Sequence, residues 1–100
     1  VAIRDACQNI GNFKLDEATI YTSCEPCPMC LAGIYWARIG RIVYACTRKD
    51  AANIGFDDDH LYQQIPLAPE DRDIPMTQAM RHAGLVPFDE WREKLDRTPY

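Results

Sequence analysis

The sequence predicts an α/β fold built on one strand–helix–strand unit, and three stretches support this prediction. Residues 19–22 are β-branched and aromatic, residues 29–38 are good helix formers that end before Gly40, and Arg41–Cys46 is centred on a second β-branched run. A helix that joins two strands is the usual crossover of a parallel pair, so we expect parallel strands and a right-handed crossover. Ligands bind beyond the carboxyl ends of such strands, which places a candidate site just after the first strand.

The first ten residues predict a helix that precedes this unit. Ile3, Cys7 and Ile10 recur at helical spacing, and Gly11 follows as a C-terminal cap. The pattern begins at Val1 without an initiator Met or a cap residue. We therefore expect that further residues precede it in the parent protein.

The turn between the first strand and its helix holds most of the reactive side chains. The strand runs into the turn-forming residues 23–26, and Pro28 suits the first turn of a helix. Cys24, Cys27 and Cys30 consequently lie where the strand ends and the helix begins. The expected position of a binding site and the position of these thiols agree.

Beyond Lys49 the predicted elements are shorter. Four segments follow in order: small residues at 51–55, an acidic turn at 56–59, one or two helical turns at 60–65, and proline-divided loops at 66–75. Residues 76–83 fit a strand or a helix equally, and residues 87–95 predict a helix with Phe88, Trp91 and Leu95 on one face. No repeat or linker interrupts the chain, so we expect residues 1–100 to form a single domain.

Composition and charge disfavour several classes of protein. The 100 residues are 47% apolar and 26% charged, with a net charge of −4. No apolar run approaches the roughly 18 residues of a membrane span, and the scattered Lys and Arg lack the basic face of a strong nucleic-acid binder. An odd cysteine count of five and the lack of a signal-peptide pattern disfavour a secreted disulfide scaffold. We expect a cytoplasmic protein that acts on a small molecule.

Cys27 and Cys30 form the candidate metal-binding pair. They lie three residues apart at a helix N-terminus, so both thiols point to one side within one turn. The helix dipole is expected to lower their pKa values toward the thiolate that zinc requires. A catalytic zinc ion has three protein ligands and an open position for water, so a third ligand must come from elsewhere. Cys24 is a candidate, although the turn at Pro26 is expected to aim it differently.

The same cysteines leave other chemistry open. A thioredoxin-like redox pair would be Cys24–Cys27 or Cys27–Cys30, and a purely structural zinc site would use the same thiols. A cubane iron–sulfur cluster is disfavoured, because its run needs a further cysteine followed by Pro where this chain has Ile34 and Tyr35.

The run at residues 26–30, Pro-Cys-Pro-Met-Cys, resembles half of a known zinc signature. The cytidine-deaminase-like superfamily carries His-x-Glu followed by Pro-Cys-x-x-Cys. Within that superfamily, four parts of the chain are similar to bacterial guanine deaminases: residues 21–30, residues 34–38, Gly55-Phe56-Asp57-Asp58, and the terminal Tyr100. The resemblance implies a three-layer α/β/α fold that is incomplete here, because a His-Ala-Glu segment is absent from the sequence. We expect the amino-terminal third of the domain to be missing.

The resemblance also implies an activity for the complete enzyme. Zinc held by Cys27, Cys30 and the absent His would lower the pKa of a bound water to roughly 7. The resulting hydroxide attacks the carbon that bears the amino group, and the absent Glu shuttles the proton to the ring nitrogen and the departing ammonia. The implied reaction is hydrolysis of guanine to xanthine and ammonia. The chain alone is expected to be inactive.

Three further site residues follow from the resemblance. Asp58 resembles a second acidic residue that contacts the purine and assists proton transfer, whereas Asp57 and Asp59 are expected to form a solvated acidic turn. Trp36 and Tyr100 are candidate substrate-binding residues, and Tyr100 would lie on a tail that covers the partner's active site in a swapped homodimer. From the sequence alone, Trp36 at helical spacing favours core packing and Tyr100 a frayed terminus.

Three other polar residues are not expected to perform chemistry. Glu25 is expected to cap the following helix or to be solvated in the turn. His60 and His82 match no ligand of the superfamily, so surface or packing roles are expected for both.

Two alternative functions remain at this point. A tRNA adenosine deaminase would share the Pro-Cys-x-x-Cys helix and the Arg-Ile-Gly-Arg run at residues 38–41. The acidic carboxyl-terminal half and the final Thr-Pro-Tyr favour the guanine enzyme instead, because a tRNA binder needs a basic face. A non-catalytic zinc-binding fragment is the other alternative.

Overall fold

A computed structural model describes residues 1–99, and these residues form two compact units. The first unit is Val1–Leu67, and the second begins at Ala68. All of the strands in the described residues, and all of the candidate site residues that precede Tyr100, belong to the first unit. Tyr100 lies outside the described residues.

Helix α1 spans Ala2–Ile10, as the apolar spacing predicts. Gly11 ends the helix in the left-handed conformation, with φ 72°, and its N–H donates to the carbonyl of Cys7. Glycine adopts this conformation without the Cβ penalty that other residues meet. The expected C-terminal cap is confirmed.

Strand β1 spans Thr19–Cys24, helix α2 spans Pro28–Trp36 and strand β2 spans Arg41–Cys46. The two strands pair in parallel, in a register that sets Cys24 beside Cys46. The predicted α/β class and the parallel pairing are confirmed. Strand β1 continues two residues beyond the predicted 19–22.

Helix α2 ends two residues earlier than the sequence predicts, because the chain turns sharply after it. Arg38 has φ 59°, a left-handed conformation that cannot continue a right-handed helix. Gly40 then approaches the backbone before β1 so closely that a Cβ there would lie 2.5 Å from the carbonyl oxygen of Asp16. Gly40 therefore does more than follow the helix. It also allows the backbone at this point to approach the backbone of Asp16 closely.

Helix α3 spans Arg48–Asn53, where the sequence suggested only a short run of small residues. Its N-terminus is a capping box. The Thr47 hydroxyl accepts from the N–H of Asp50 at 3.2 Å, and the Asp50 carboxylate accepts from the N–H of Thr47 at 2.8 Å. The missed signal was this Thr-x-x-Asp pattern. Helix α4 follows at Asp58–Gln64, two residues before the expected start.

The second unit contains a short 3₁₀ turn and two helices. The 3₁₀ turn is Pro69–Asp71, α5 spans Arg81–Gly84, and α6 spans Val86–Glu93. Residues 76–80, which the sequence left undecided, have neither helix nor strand structure. The apolar face predicted for α6 is exposed in this unit.

The core of the first unit is small. Among residues 1–99, the buried apolar residues are Leu15, Ile34, Ala37 and Ala51. They come from the segment before β1, from α2 and the residue after it, and from α3, so they lie around the crossover. In the same described part of the chain, no helix is long and apolar enough to cross a membrane.

Candidate active site

A cavity of about 700 Å³ lies at the carboxyl ends of the two strands. Its reactive lining residues are Cys24, Glu25, Cys27, Cys30, Cys46, Asp50 and Asp58. Ile20, Ile34, Ala51 and Phe56 are among the apolar residues that form the rest of its wall. The cavity is in the position that the order of the strands and helix predicts for a ligand site.

Cys27 and Cys30 lie together at the start of α2. Cys27 is the N-cap and Pro28 begins the helix, so the two side chains share the first turn. A hydrogen bond between the side chains of Cys30 and Cys27 is the main cause that raises the pKa of the Cys30 thiol, followed by desolvation. The expectation that the helix dipole would lower this pKa is wrong for Cys30.

Cys24 opens on the same cavity but is held apart from this pair. Its Sγ lies 3.8 Å from the carbonyl oxygen of Thr47, to which it donates a hydrogen bond. Burial raises the pKa of the Cys24 thiol, and the charge of Asp58 raises it further. No cluster of three or more His, Cys, Asp or Glu side chains within residues 1–99 is arranged to hold a metal ion, so Cys24 does not complete the Cys27–Cys30 site there.

Asp58 is the first residue of α4 and lines the cavity. Its charge contributes to the raised pKa values of Cys24 and Cys30, which places it within electrostatic reach of both thiols. The neighbouring Asp59 is not the solvated residue that the sequence suggested. It is half-buried and pairs with the Arg48 guanidinium at 3.4 Å. Asp57 is exposed, as expected.

A group of side chains that sequence reasoning missed supports the turn before α2. The carboxylate of Glu25 accepts from the N–H of Arg48 at 2.8 Å, so it caps α3 and not the helix that follows it in sequence. The hydroxyl of Tyr62 donates to the carbonyl of Pro26 at 2.6 Å. The Arg48 guanidinium lies 4.3 Å from the centre of the Tyr62 ring. The two hydrogen bonds join residues 23 and 36 positions apart, separations at which no local pattern in the sequence could reveal them.

Comparison with known proteins shows which proteins this chain is similar to. Residues 1–46 match the model of the cytidine and deoxycytidylate deaminase zinc-binding region. Guanine deaminase from Bacillus subtilis is 46% identical over 99% of this chain and 64% of its own length. The chain is thus similar to zinc-binding deaminases, through residues 1–46 for the family model and over nearly its whole length for the guanine deaminase. It spans less than two thirds of the length of that relative.

A solved structure shows the same fold. The X-ray structure of guanine deaminase from Bacillus subtilis matches this chain with a TM-score of 0.91, over 99% of this chain and 63% of that one. A tRNA-specific adenosine deaminase from Buchnera aphidicola is 40% identical over 50% of this chain and 33% of its own length. Zinc deaminases with different substrates therefore share this region.

The family model that matches residues 1–46 describes a zinc-binding region, and the paired thiols fit zinc. Cys27 and Cys30 offer two sulfur ligands from one helical turn, and their side chains are close enough to share a hydrogen bond. The other half of the family signature, His-x-Glu, does not occur in the 100-residue sequence. Within the chain, Cys27 and Cys30 could therefore fill two of the four positions of a tetrahedral zinc site.

The other predicted site residues are Trp36 and Tyr100. Trp36 is at the end of α2 with 62% of its surface exposed, and it is not among the residues that line the cavity. The prediction that Trp36 packs in the core is therefore wrong for the described residues. Its contact with substrate stays a prediction. His60 and His82 are exposed on α4 and α5. The substrate-binding role of Tyr100 falls outside the described residues.

Proposed function

We propose that the protein hydrolyses guanine to xanthine and ammonia, with Cys27 and Cys30 as zinc ligands. The observation that carries this proposal is the single cavity that contains both thiols and the carboxylate of Asp58. The name and 46% identity of the Bacillus subtilis guanine deaminase support the choice of base. The cavity volume of about 700 Å³ lies within the range of small-molecule sites.

The residues of the chain have separate parts in this reaction. Zinc, when bound, would lower the pKa of a water molecule and so supply the nucleophile for hydrolysis. Cys27 and Cys30 would hold that ion at the helix N-terminus. Asp58 faces the same space, so its carboxylate accepts a hydrogen bond from the base and takes up or returns a proton beside the departing ammonia. Ile20, Ile34 and Phe56 contribute apolar surface to the wall of this cavity, against which the base ring would pack.

The test uses an extended chain in which a His-Ala-Glu segment precedes Val1. After zinc loading, ammonia release is measured with guanine, adenosine, cytosine and tRNA as substrates. We expect release from guanine alone, and Asp58→Asn should lower kcat by about 10²-fold or more, the effect of losing a general acid or base. Asp57→Asn is the matched control, since Asp57 is an exposed neighbour with no side-chain cap hydrogen bond. Equal rates for the two variants would contradict the role of Asp58.

Deamination of adenosine in tRNA is the second candidate. The 40% identity to the Buchnera aphidicola enzyme over half of the chain favours it. A net charge of −4 and a sequence pI near 5.0 disfavour it, because phosphate binding relies on basic residues. Release from tRNA and not from guanine would support this candidate. Zinc binding without turnover of any substrate would leave a non-catalytic zinc-binding chain.

We also propose a cytoplasmic homodimer in which each carboxyl-terminal tail covers the partner's site with Tyr100. Mixing two inactive proteins tests the exchange. Asp58→Asn keeps the tail, Tyr100→Ala keeps the carboxylate, and a swapped dimer of the two has one site with both groups. Recovered activity after mixing is expected. Mixed dimers without activity would show that each tail serves its own subunit.

A further inference from the structure

The phenol of Tyr62 joins the two segments that carry the proposed chemistry. Tyr62 follows Asp58 by four residues on α4, so the two side chains lie on one face of the helix. Its hydroxyl donates a 2.6 Å hydrogen bond to the carbonyl of Pro26, the residue before Cys27. One hydrogen bond therefore connects the helix of Asp58 to the turn of the thiol pair.

The ring of Tyr62 also contacts Arg48, the first residue of α3. The Arg48 guanidinium lies 4.3 Å from its centre, and the same guanidinium pairs with Asp59 of α4 at 3.4 Å. The backbone N–H of Arg48 donates to Glu25, the residue before Pro26. The turn and α4 are thus both fixed against the start of α3.

The carbonyl of Pro26 needs this partner more than most carbonyls do. Pro26 is buried, and proline has no N–H, so the carbonyl is its only backbone polar group. Without the phenol, either the turn moves toward water or the carbonyl stays unsatisfied. Both results disturb Cys27, the next residue.

We propose that Tyr62 is a positioning residue that sets the separation between Asp58 and the Cys27–Cys30 pair. This inference rests on the proposed function, because the separation matters only if both groups act on one substrate. Tyr62 is not among the residues that line the cavity. It acts through Pro26 on the thiol turn and through α4 on Asp58.

Tyr62→Phe removes the hydroxyl and keeps the ring beneath Arg48. In the zinc-loaded extended chain we expect kcat for guanine to fall about 10- to 100-fold, with KM changed less than about threefold. Zinc affinity, measured by competition with a chelator, should fall about tenfold. Tyr44→Phe is the matched control, because Tyr44 is 48% exposed on β2 and does not line the cavity of the thiols.

A double-mutant cycle separates positioning from general weakening of the fold. If Tyr62 acts on catalysis by placing Asp58, then Tyr62→Phe should lower kcat by less than about threefold when Asp58→Asn is already present. An undiminished loss in that background would overturn the proposal. So would a Tyr62→Phe protein with the kcat and zinc affinity of Tyr44→Phe.

Failure of the proposed function gives a different result. An unsubstituted protein that releases no ammonia from guanine would refute that function, and the zinc measurement would then decide whether Tyr62 positions Cys27. If Tyr62→Phe does not fold, Arg48→Met replaces it, since this change keeps the hydroxyl and removes the cation over the ring. A smaller loss of kcat and zinc affinity is expected for Arg48→Met, and unchanged values would overturn the proposal.

Discussion

At the scale of single residues, the thiols of Cys27 and Cys30 lie close enough to share a hydrogen bond. The hydrogen bond between their side chains raises the pKa of Cys30, and desolvation raises it further. The sequence pointed to both thiols as candidate ligands because their spacing is local. It gave the wrong direction for the pKa of Cys30, because it considered the helix dipole and left out the second thiol.

Serine replacement of either thiol tests this pair. Cys27→Ser and Cys30→Ser should each weaken zinc binding by more than about a hundredfold, since a lost ligand costs more than a lost supporting contact. Cys7→Ser is the control, because Cys7 is a half-buried thiol on α1 that does not line the cavity. Cobalt(II) substitution supplies the readout through thiolate absorption. Full absorption in either variant would argue against the assignment.

Asp50 gives a pH prediction at the same scale. Hydrogen bonds from Thr47 lower the pKa of the Asp50 carboxyl, so the folded state favours its charged form. This contribution to stability is present above the unfolded-state pKa of about 3.9 and is lost as pH falls through the lower folded-state pKa. The stability difference between the unsubstituted chain and Asp50→Asn should therefore be present at pH 7 and shrink below about pH 4. Urea unfolding across this range measures it, and a pH-independent difference would contradict it.

At the scale of elements, the short helix α3 depends on its cap. Six residues are too few for a stable isolated helix, so the capping box and tertiary contacts hold it. This helix supports Glu25 through its first N–H, and it places Arg48 over Tyr62. Loss of the cap would therefore also disturb the turn at residues 25–27, which precedes α2.

Thr47→Ala measures the cap directly. We expect a loss of about 1 kcal/mol in the free energy of unfolding, the usual effect of removing a threonine cap. Thr77→Ala is the control, because Thr77 is exposed in a stretch without regular structure. Chemical denaturation followed by circular dichroism gives both values, and equal stabilities would show that the cap contributes nothing.

Gly40 gives a second prediction at the element scale. A Cβ at this position would lie 2.5 Å from the carbonyl oxygen of Asp16, so Gly40→Ala must shift the backbone before β1. We expect a loss of about 1–3 kcal/mol in unfolding free energy, as for overpacking elsewhere. Gly84→Ala meets no atom within 4 Å and should leave stability unchanged or slightly higher. Thermal unfolding of both variants checks the contrast, which a tolerant Gly40→Ala would refute.

At the scale of the whole molecule, the described residues bury little apolar surface. The buried apolar set in residues 1–99 is four residues, two of them alanine, whereas Trp36, Phe56 and Ile74 are more than 60% exposed. A chain of this size has a narrow margin of stability even with a full core. Low stability follows from this distribution of apolar surface.

We therefore expect the 100-residue chain alone to unfold with low cooperativity and to bind a hydrophobic dye such as ANS. The extended chain with the His-Ala-Glu segment should bind less dye, unfold more sharply and release ammonia from guanine where the shorter chain does not. Calorimetry, dye fluorescence and ammonia release provide the three readouts. A sharp, dye-free transition or measurable turnover by the 100 residues alone would contradict this prediction.

The sequence by itself determined the features that depend on neighbouring residues. Periodicity placed α1, β1, α2 and β2 to within a few residues, and the spacing of Cys27 and Cys30 placed both thiols on one helical turn. The family resemblance pointed to Asp58, which lines the cavity. The tertiary structure alone decided which distant groups meet: the charge of Glu25 with the start of α3, Tyr62 with the carbonyl of Pro26, and Gly40 with the backbone of Asp16. Helix and strand patterns repeat over a few residues, so neighbouring residues are enough to predict them. Contacts between residues far apart in the sequence form only when the elements pack together.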